Sequence, residues 1–200
     1  MATYSDVAER ESAMTLNTRK IVVAGILGAI AILLAVTRLG LIPVPNLSGN
    51  ATILHVPAIL GGVLEGPVVG VLVGGIFGVF SFIQAEIPAF RDPLVAIFPR
   101  LFIGLVAWAV FASLVRWNLY VAALVAGVLG TAANTVGVIS MGIWRGYFPH
   151  PEIWGLIAPQ AIAELVIAAI ITVIVVKAVD LYRSGRTTAP EVAEGQERRY

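Results

Sequence analysis

The sequence predicts an all-α integral membrane protein, a compact bundle of six transmembrane helices with its N and C termini cytoplasmic. Three observations carry that expectation. Hydrophobic residues make up 58% of the 200 and charged residues only 12%, where a soluble domain carries about 25% charge. Apolar runs of helical length recur along the chain, separated by segments of proline, glycine and charge. Glycine then recurs every fourth residue at Gly66, Gly70, Gly74 and Gly78, a small-residue ridge that lets two membrane helices approach closely.

The elements follow in order. Residues 1–20 are a polar N-terminal segment. Ile21 to Leu41 is the first apolar run, about the ~20 residues that cross a hydrocarbon core. Its apolar stretch is too long for a secretory signal and no small-residue cleavage site is evident, so it is expected to be retained. Ile42 to Asn50 (IPVPNLSGN) reads as a loop. The second helix is expected from Ala51 to Leu64, short for a span and so tilted or covered by neighbours. Gly66-Pro67 ends it and opens the third, Pro67 to Gln84, because glycine suits a left-handed cap and proline a first turn. Ala85 to Asp92 is a polar loop. A fourth helix runs from Pro93 to Val115 with Pro99-Arg100 near its start, and Arg116-Trp117-Asn118 turns into a fifth, Leu119 to Ile139. Ser140 to Glu152 reads as a loop, Ile153 to Val179 as the sixth helix, and residues 180–200 as a polar tail. Residues 21–179 form the membrane domain.

An even number of spans puts both termini on one side. That side holds Arg10, Arg19, Lys20, Arg116, Lys177, Arg183, Arg186, Arg198 and Arg199, and the other holds Arg38, Arg91, Arg100 and Arg145. The excess of positive charge places the termini inside. The connections at 42–50, 85–92 and 140–152 are then outside, where they can build a binding site.

Several chemistries are missing. No glycine-rich phosphate loop ending in Gly-Lys-Ser/Thr occurs, and no His-Glu-x-x-His. The two histidines, His55 and His150, have no metal-ligand spacing. Without cysteine there is no disulfide, thiolate site or cysteine nucleophile. A net charge of +1 gives no reason to expect nucleic acid. No cofactor and no enzymatic activity are expected.

What remains is recognition. The outer arginines can take a carboxylate or phosphate with a two-pronged fork, or pair with Glu86, Asp92 or Glu152. Arg100 needs a partner most, since it lies just inside an apolar segment. Glu164 is the one carboxylate expected inside a helix, either touching a ligand or bonded to Asn134 or Gln160. Candidate substrate-binding residues are Arg100, Arg38, Arg91, Arg145, Asn46, Asn50, His55, Gln84, Asn134, Trp144 and Glu164. With Phe77, Phe80, Phe82, Phe90, Phe98 and Tyr147 they suit a small organic anion with an apolar body. On the first helix, Ala24/Gly28, Gly25/Ala29 and Ala31/Ala35 are small residues four apart that form flat faces for other helices.

The chain resembles the substrate-binding S components of energy-coupling factor (ECF) vitamin transporters. The resemblance spans Arg19 to Val179. It rests on the Lys/Arg pair before GILGAIAILL, on LIPVP, on HVPAILGGVLEGPVVG with the glycine ridge after it, and on FPRLFIG. It implies a cell-membrane subunit that binds a vitamin from outside, without ATPase activity of its own. The implied partners are a membrane coupling subunit and two cytoplasmic ATPase subunits. Gly25 and Ala29 stand where the family carries an alanine pair for docking on the coupling subunit, with glycine replacing the first alanine. The loop 42–50 is implied as a lid, and a carboxylate-bearing vitamin of the pantothenate, folate or lipoate type fits the arginine and the aromatics. Two other classes stay open. One is a ligand-free assembly subunit, for which the glycine ridge is sufficient. The other is an intramembrane enzyme using Glu164 with His55 or His150.

Overall fold

A computed structural model describes residues 16–43, 50–85, 87–148 and 152–187. Asn46, Glu86 and His150 lie outside the described residues, as does the Asn50 side chain. Six helices form the bundle. They are α1 (Thr18–Val36), α2 (Val56–Glu65), α3 (Pro67–Ile83), α4 (Pro93–Leu114), α5 (Leu119–Trp144) and α6 (Glu152–Thr187). Helix α4 has two pieces, Pro93–Ala96 and Phe98–Leu114, meeting at Ile97. By length and composition four of the six, α1, α4, α5 and α6, can cross a membrane, whereas α2 and α3 are shorter. Their outward faces carry Ile26, Ile30 and Leu33 on α1, and Ile162, Val166, Ile170 and Ile174 on α6. Exposed aliphatic stripes of that length suit lipid rather than water.

The short second helix is the centre of the fold. Val56 through Val63 are all buried, and α2 touches each of the other five helices. Ten residues rise only ~15 Å, half the ~30 Å of a hydrocarbon core, so its neighbours rather than lipid cover it. The turn behind it is as expected: Gly66 adopts φ 101° and Pro67 opens α3.

The glycine ridge is spent on α4. A Cβ on Gly70 would lie 2.8 Å from the Cα of Gly104, and one on Gly78 would lie 2.9 Å from the Cα of Ile97. On Gly74 it would run into the carbonyl oxygen of Arg100. Backbone therefore meets backbone along the whole α3–α4 seam.

Four helix boundaries differ from expectation. Helix α1 stops at Val36, because Arg38 takes the left-handed conformation (φ 59°) that a residue just past a helix end often adopts. Leu41–Pro43 (β1) then pairs antiparallel with Asn50–Thr52 (β2), Ile42 opposite Ala51. Residues 51–52 are thus strand, not the start of the second helix. Helix α5 continues past Ile139 to Trp144, where Gly146 at φ 76° allows the chain to fold back. The N–H groups of Tyr147 and Phe148 both reach the Gly142 carbonyl, at 2.8 and 3.3 Å. Helix α6 runs past Val179 to Thr187, so the polar run from Asp180 begins as helix.

Two ends of the bundle are distinct. At one, Glu65 in the α2–α3 turn pairs with Arg19 of α1 (2.6 Å) and Arg183 of α6 (3.7 Å). The hairpin, the α3–α4 connection and the α5 terminus lie at the other.

Candidate functional site

Arg100 and the residues that hold it define the site. Its local structure follows from Pro99. A proline has no N–H to give the carbonyl four residues back, which leaves the Val95 oxygen free. The Arg100 amide turns to Ile97 instead of Ala96 (3.0 Å), which frees a second carbonyl. The guanidinium Nη1 donates to both, to Val95 at 3.2 Å and to Ala96 at a closer approach. The break in α4 is therefore a cradle for the positive charge that follows it, and cations are favoured at such a helix C-terminus.

The rings of Phe77 (α3) and Phe90 cover the guanidinium, their centroids 4.9 and 5.0 Å from Cζ. Cation–π contact of this kind strengthens when water is excluded, and Arg100 is only 4% exposed. Among the described residues no carboxylate lies within 4.0 Å of it, and its Nε is buried without a hydrogen-bond partner. A buried charge without counter-charge is costly, and the two carbonyls and two rings are what offset that cost among the described residues.

A second group anchors the cradle. The Asp92 carboxylate caps the first piece of α4 by accepting from the Leu94 N–H (3.0 Å), and it accepts from Arg145 Nε (2.5 Å) and Tyr147 (3.5 Å). Arg145 holds the Asp92 carboxyl below the usual carboxylate range, and Asp92 in turn raises Arg145. Of the two roles open to Arg145, the ion pair is the one observed.

His55 and Asn134 are buried on the helices beside the cradle. His55, at the start of α2, is fully buried, with Nε2 2.9 Å from the Thr131 hydroxyl and Nδ1 unpartnered. Asn134, one turn along α5 from Thr131, is buried with Oδ1 unpartnered. Pro99 fills the space opposite Gly137, one turn further on the same face. These contacts place His55 and Pro99, the residue before Arg100, along one side of α5, with Asn134 between their contact points in the sequence. Thr131 was not singled out in the sequence; three residues before Asn134, it shares a helical face with it.

Glu164 is also buried, and serves the hairpin. Its Oε1 accepts from the Thr52 N–H (2.7 Å) and from Gln160 (2.9 Å). Of its two expected partners, Gln160 is found on the same helix. The remaining candidates are dispersed at the surface: Arg38, Gln84, Arg91 and Trp144 are exposed. On α1, Ala24 and Gly28 face inward, Gly28 against Ile76, whereas Gly25 and Ala29 face out and a Cβ on Gly25 would meet nothing within 4 Å.

The described residues form an apolar helical bundle, four of whose helices are long enough to cross a membrane, around a guanidinium with no carboxylate partner among them. Residues 19–176 match the family described as ECF transporter, substrate-specific component, and the chain belongs to that family. A search of curated proteins returned no match.

Proposed function

We propose that this chain is the substrate-capture subunit of an ECF-type importer in the cell membrane, spanning it six times with both termini cytoplasmic. It takes up a vitamin or vitamin-like carboxylate from the outer side and delivers it inward. A membrane coupling subunit and two cytoplasmic ATPase subunits complete the machine. The observation that carries the substrate class is Arg100: buried, walled by two phenylalanines and lacking a carboxylate among the described residues. Family membership supports the transport role. The outward Gly25 and Ala29 support docking on the coupling subunit, since their small face is unused inside the bundle. The hairpin fits a lid whose closed position Glu164 holds.

The test is ligand binding by the purified protein and by Arg100→Ala, with mass spectrometry of small molecules retained through purification. Truncating one partner of a buried charge pair costs about 2–5 kcal/mol, so retained carboxylate should fall by at least ~30-fold. Equal retention by the variant overturns the anion site. Binding of no small molecule at all, with intact assembly, favours a ligand-free assembly subunit.

A further inference from the structure

The unpartnered atoms around Arg100 specify more of the ligand than its charge. We infer that the site takes a small carboxylic acid that also bears hydroxyl or amide N–H donors, and discriminates against acids that lack them. This rests on the binding role proposed above.

The guanidinium is committed on one side only. Nη1 is bonded to the two freed carbonyls, and the rings of Phe77 and Phe90 lie against the guanidinium, 4.9 and 5.0 Å from Cζ. What remains is the edge that carries Nε and Nη2, of which Nε is buried and unpartnered. Two parallel N–H groups on one edge match the two oxygens of a carboxylate. A ligand carboxylate therefore meets the guanidinium on that edge.

The other two orphans are acceptors. The Thr131 hydroxyl has one proton, which it gives to the Gly127 carbonyl (2.9 Å). It can then only accept from His55, whose Nε2 lies 2.9 Å away. A neutral imidazole has one donor and one acceptor nitrogen, so the buried Nδ1 presents a lone pair. Asn134 Oδ1 is likewise a buried acceptor without a donor. Leaving such groups unpaired costs the full desolvation of each, and a ligand that brings an O–H or N–H to them recovers it. A plain hydrocarbon acid would seal both in. Thr131 to Gly137, the stretch of α5 alongside these groups, rises ~9 Å at 1.5 Å per residue. A span of that order is within reach of a small molecule that meets both the acceptors and the guanidinium edge.

The experiment uses the full-length protein in lipid nanodiscs and reads dissociation constants for octanoate, lipoate, 8-hydroxyoctanoate, pantothenate and pantothenol. The donor-bearing acids should bind at least tenfold more tightly than octanoate and lipoate. Pantothenol, which keeps the donors and lacks the carboxylate, should bind weakly. Asn134→Leu should narrow the gap between pantothenate and lipoate, and Arg100→Ala should weaken every acid. A panel in which no donor-bearing acid exceeds its plain counterparts overturns the inference. If those acids still depend on Arg100, the anion site survives; if none does, both readings fall together. Nitrogen-15 NMR of labelled histidine in the ligand-free protein tests the acceptor directly, without any variant. The Nε2–H tautomer is expected at His55, and an Nδ1–H tautomer overturns the assignment.

Discussion

Asp92 shows how a charged residue outside the site shapes it. Its carboxylate caps the first piece of α4 and holds Arg145, and the carbonyls at the end of that piece hold Arg100. Because its folded-state pKa is depressed, chiefly by the Arg145 hydrogen bond, the stabilisation is present above the unfolded value of about 3.9. It is lost as pH falls through the folded value. Asp92→Asn should therefore lower the melting temperature at pH 7, and the gap from the parent protein should close below about pH 4. A gap that stays constant between pH 7 and pH 3 would show that the charge contributes nothing. Arg145 was open to two roles in the sequence, ligand contact or ion pair, because a loop arginine gives no sign of which carboxylate it will meet. Arg100 stood out in the sequence because it lies just inside an apolar segment, but that its partners are the Val95 and Ala96 carbonyls freed at Pro99 emerges only from the fold.

Among the helices, the small residues divide into those that pack inside and those that do not, and substitution separates them. A Cβ on Gly104 would lie 2.6 Å from the carbonyl carbon of Gly70 and 2.7 Å from the Ala58 oxygen. Backbone cannot yield as a side chain can, so Gly104→Ala should cost about 1–3 kcal/mol, read from thermal unfolding in detergent. Gly25→Ala should stay within about 0.5 kcal/mol or stabilise slightly. On the docking proposal, Gly25→Leu leaves the fold intact and abolishes co-purification with the coupling subunit; intact co-purification rejects that role. The periodicity of the glycines exposed a close-packing ridge on α3 in advance, without showing that α4 is the helix it meets. The hairpin was not legible, since each strand has three residues and the Thr52 N–H finds its acceptor at Glu164, 112 positions away. No local pattern encodes such a bond. The chain has no cysteine, so Ile42→Cys can report on the hairpin alone. Adding Glu164→Ala should speed its maleimide labelling several-fold, because the Thr52 N–H loses its partner; an unchanged rate would show that Glu164 does not hold the hairpin down.

For the whole molecule, the arrangement of charge gives an orientation that can be measured. Arg19, Glu65 and Arg183 tie the start of α1, the α2–α3 turn and the end of α6 together at one end. Lys20 and Val115 line the same surface groove as these residues, which puts the α4–α5 turn with Arg116 and Trp117 at that end too. Arg38, Arg91 and Arg145 follow or precede the helix ends on the far side. The end richer in Lys and Arg should face the cytoplasm. Trp117, 84% exposed, and Arg91, also exposed, report on the two ends without touching the Arg100 cradle. With single cysteines at these positions, an impermeant maleimide should label Arg91→Cys on intact cells and Trp117→Cys only on inverted vesicles. The reverse pattern would place Arg100 and the hairpin toward the cytoplasm and exclude capture from outside. Labelling of both from one side would mean that α4, the one long helix between them, does not count as a span. That outcome would remove the even number on which the position of the termini depends. The short α2 and α3 do not alter that parity, because losing both would leave four spans: α2, with 10 residues, is about half the length of a span, and α3, with 17, falls just short of one.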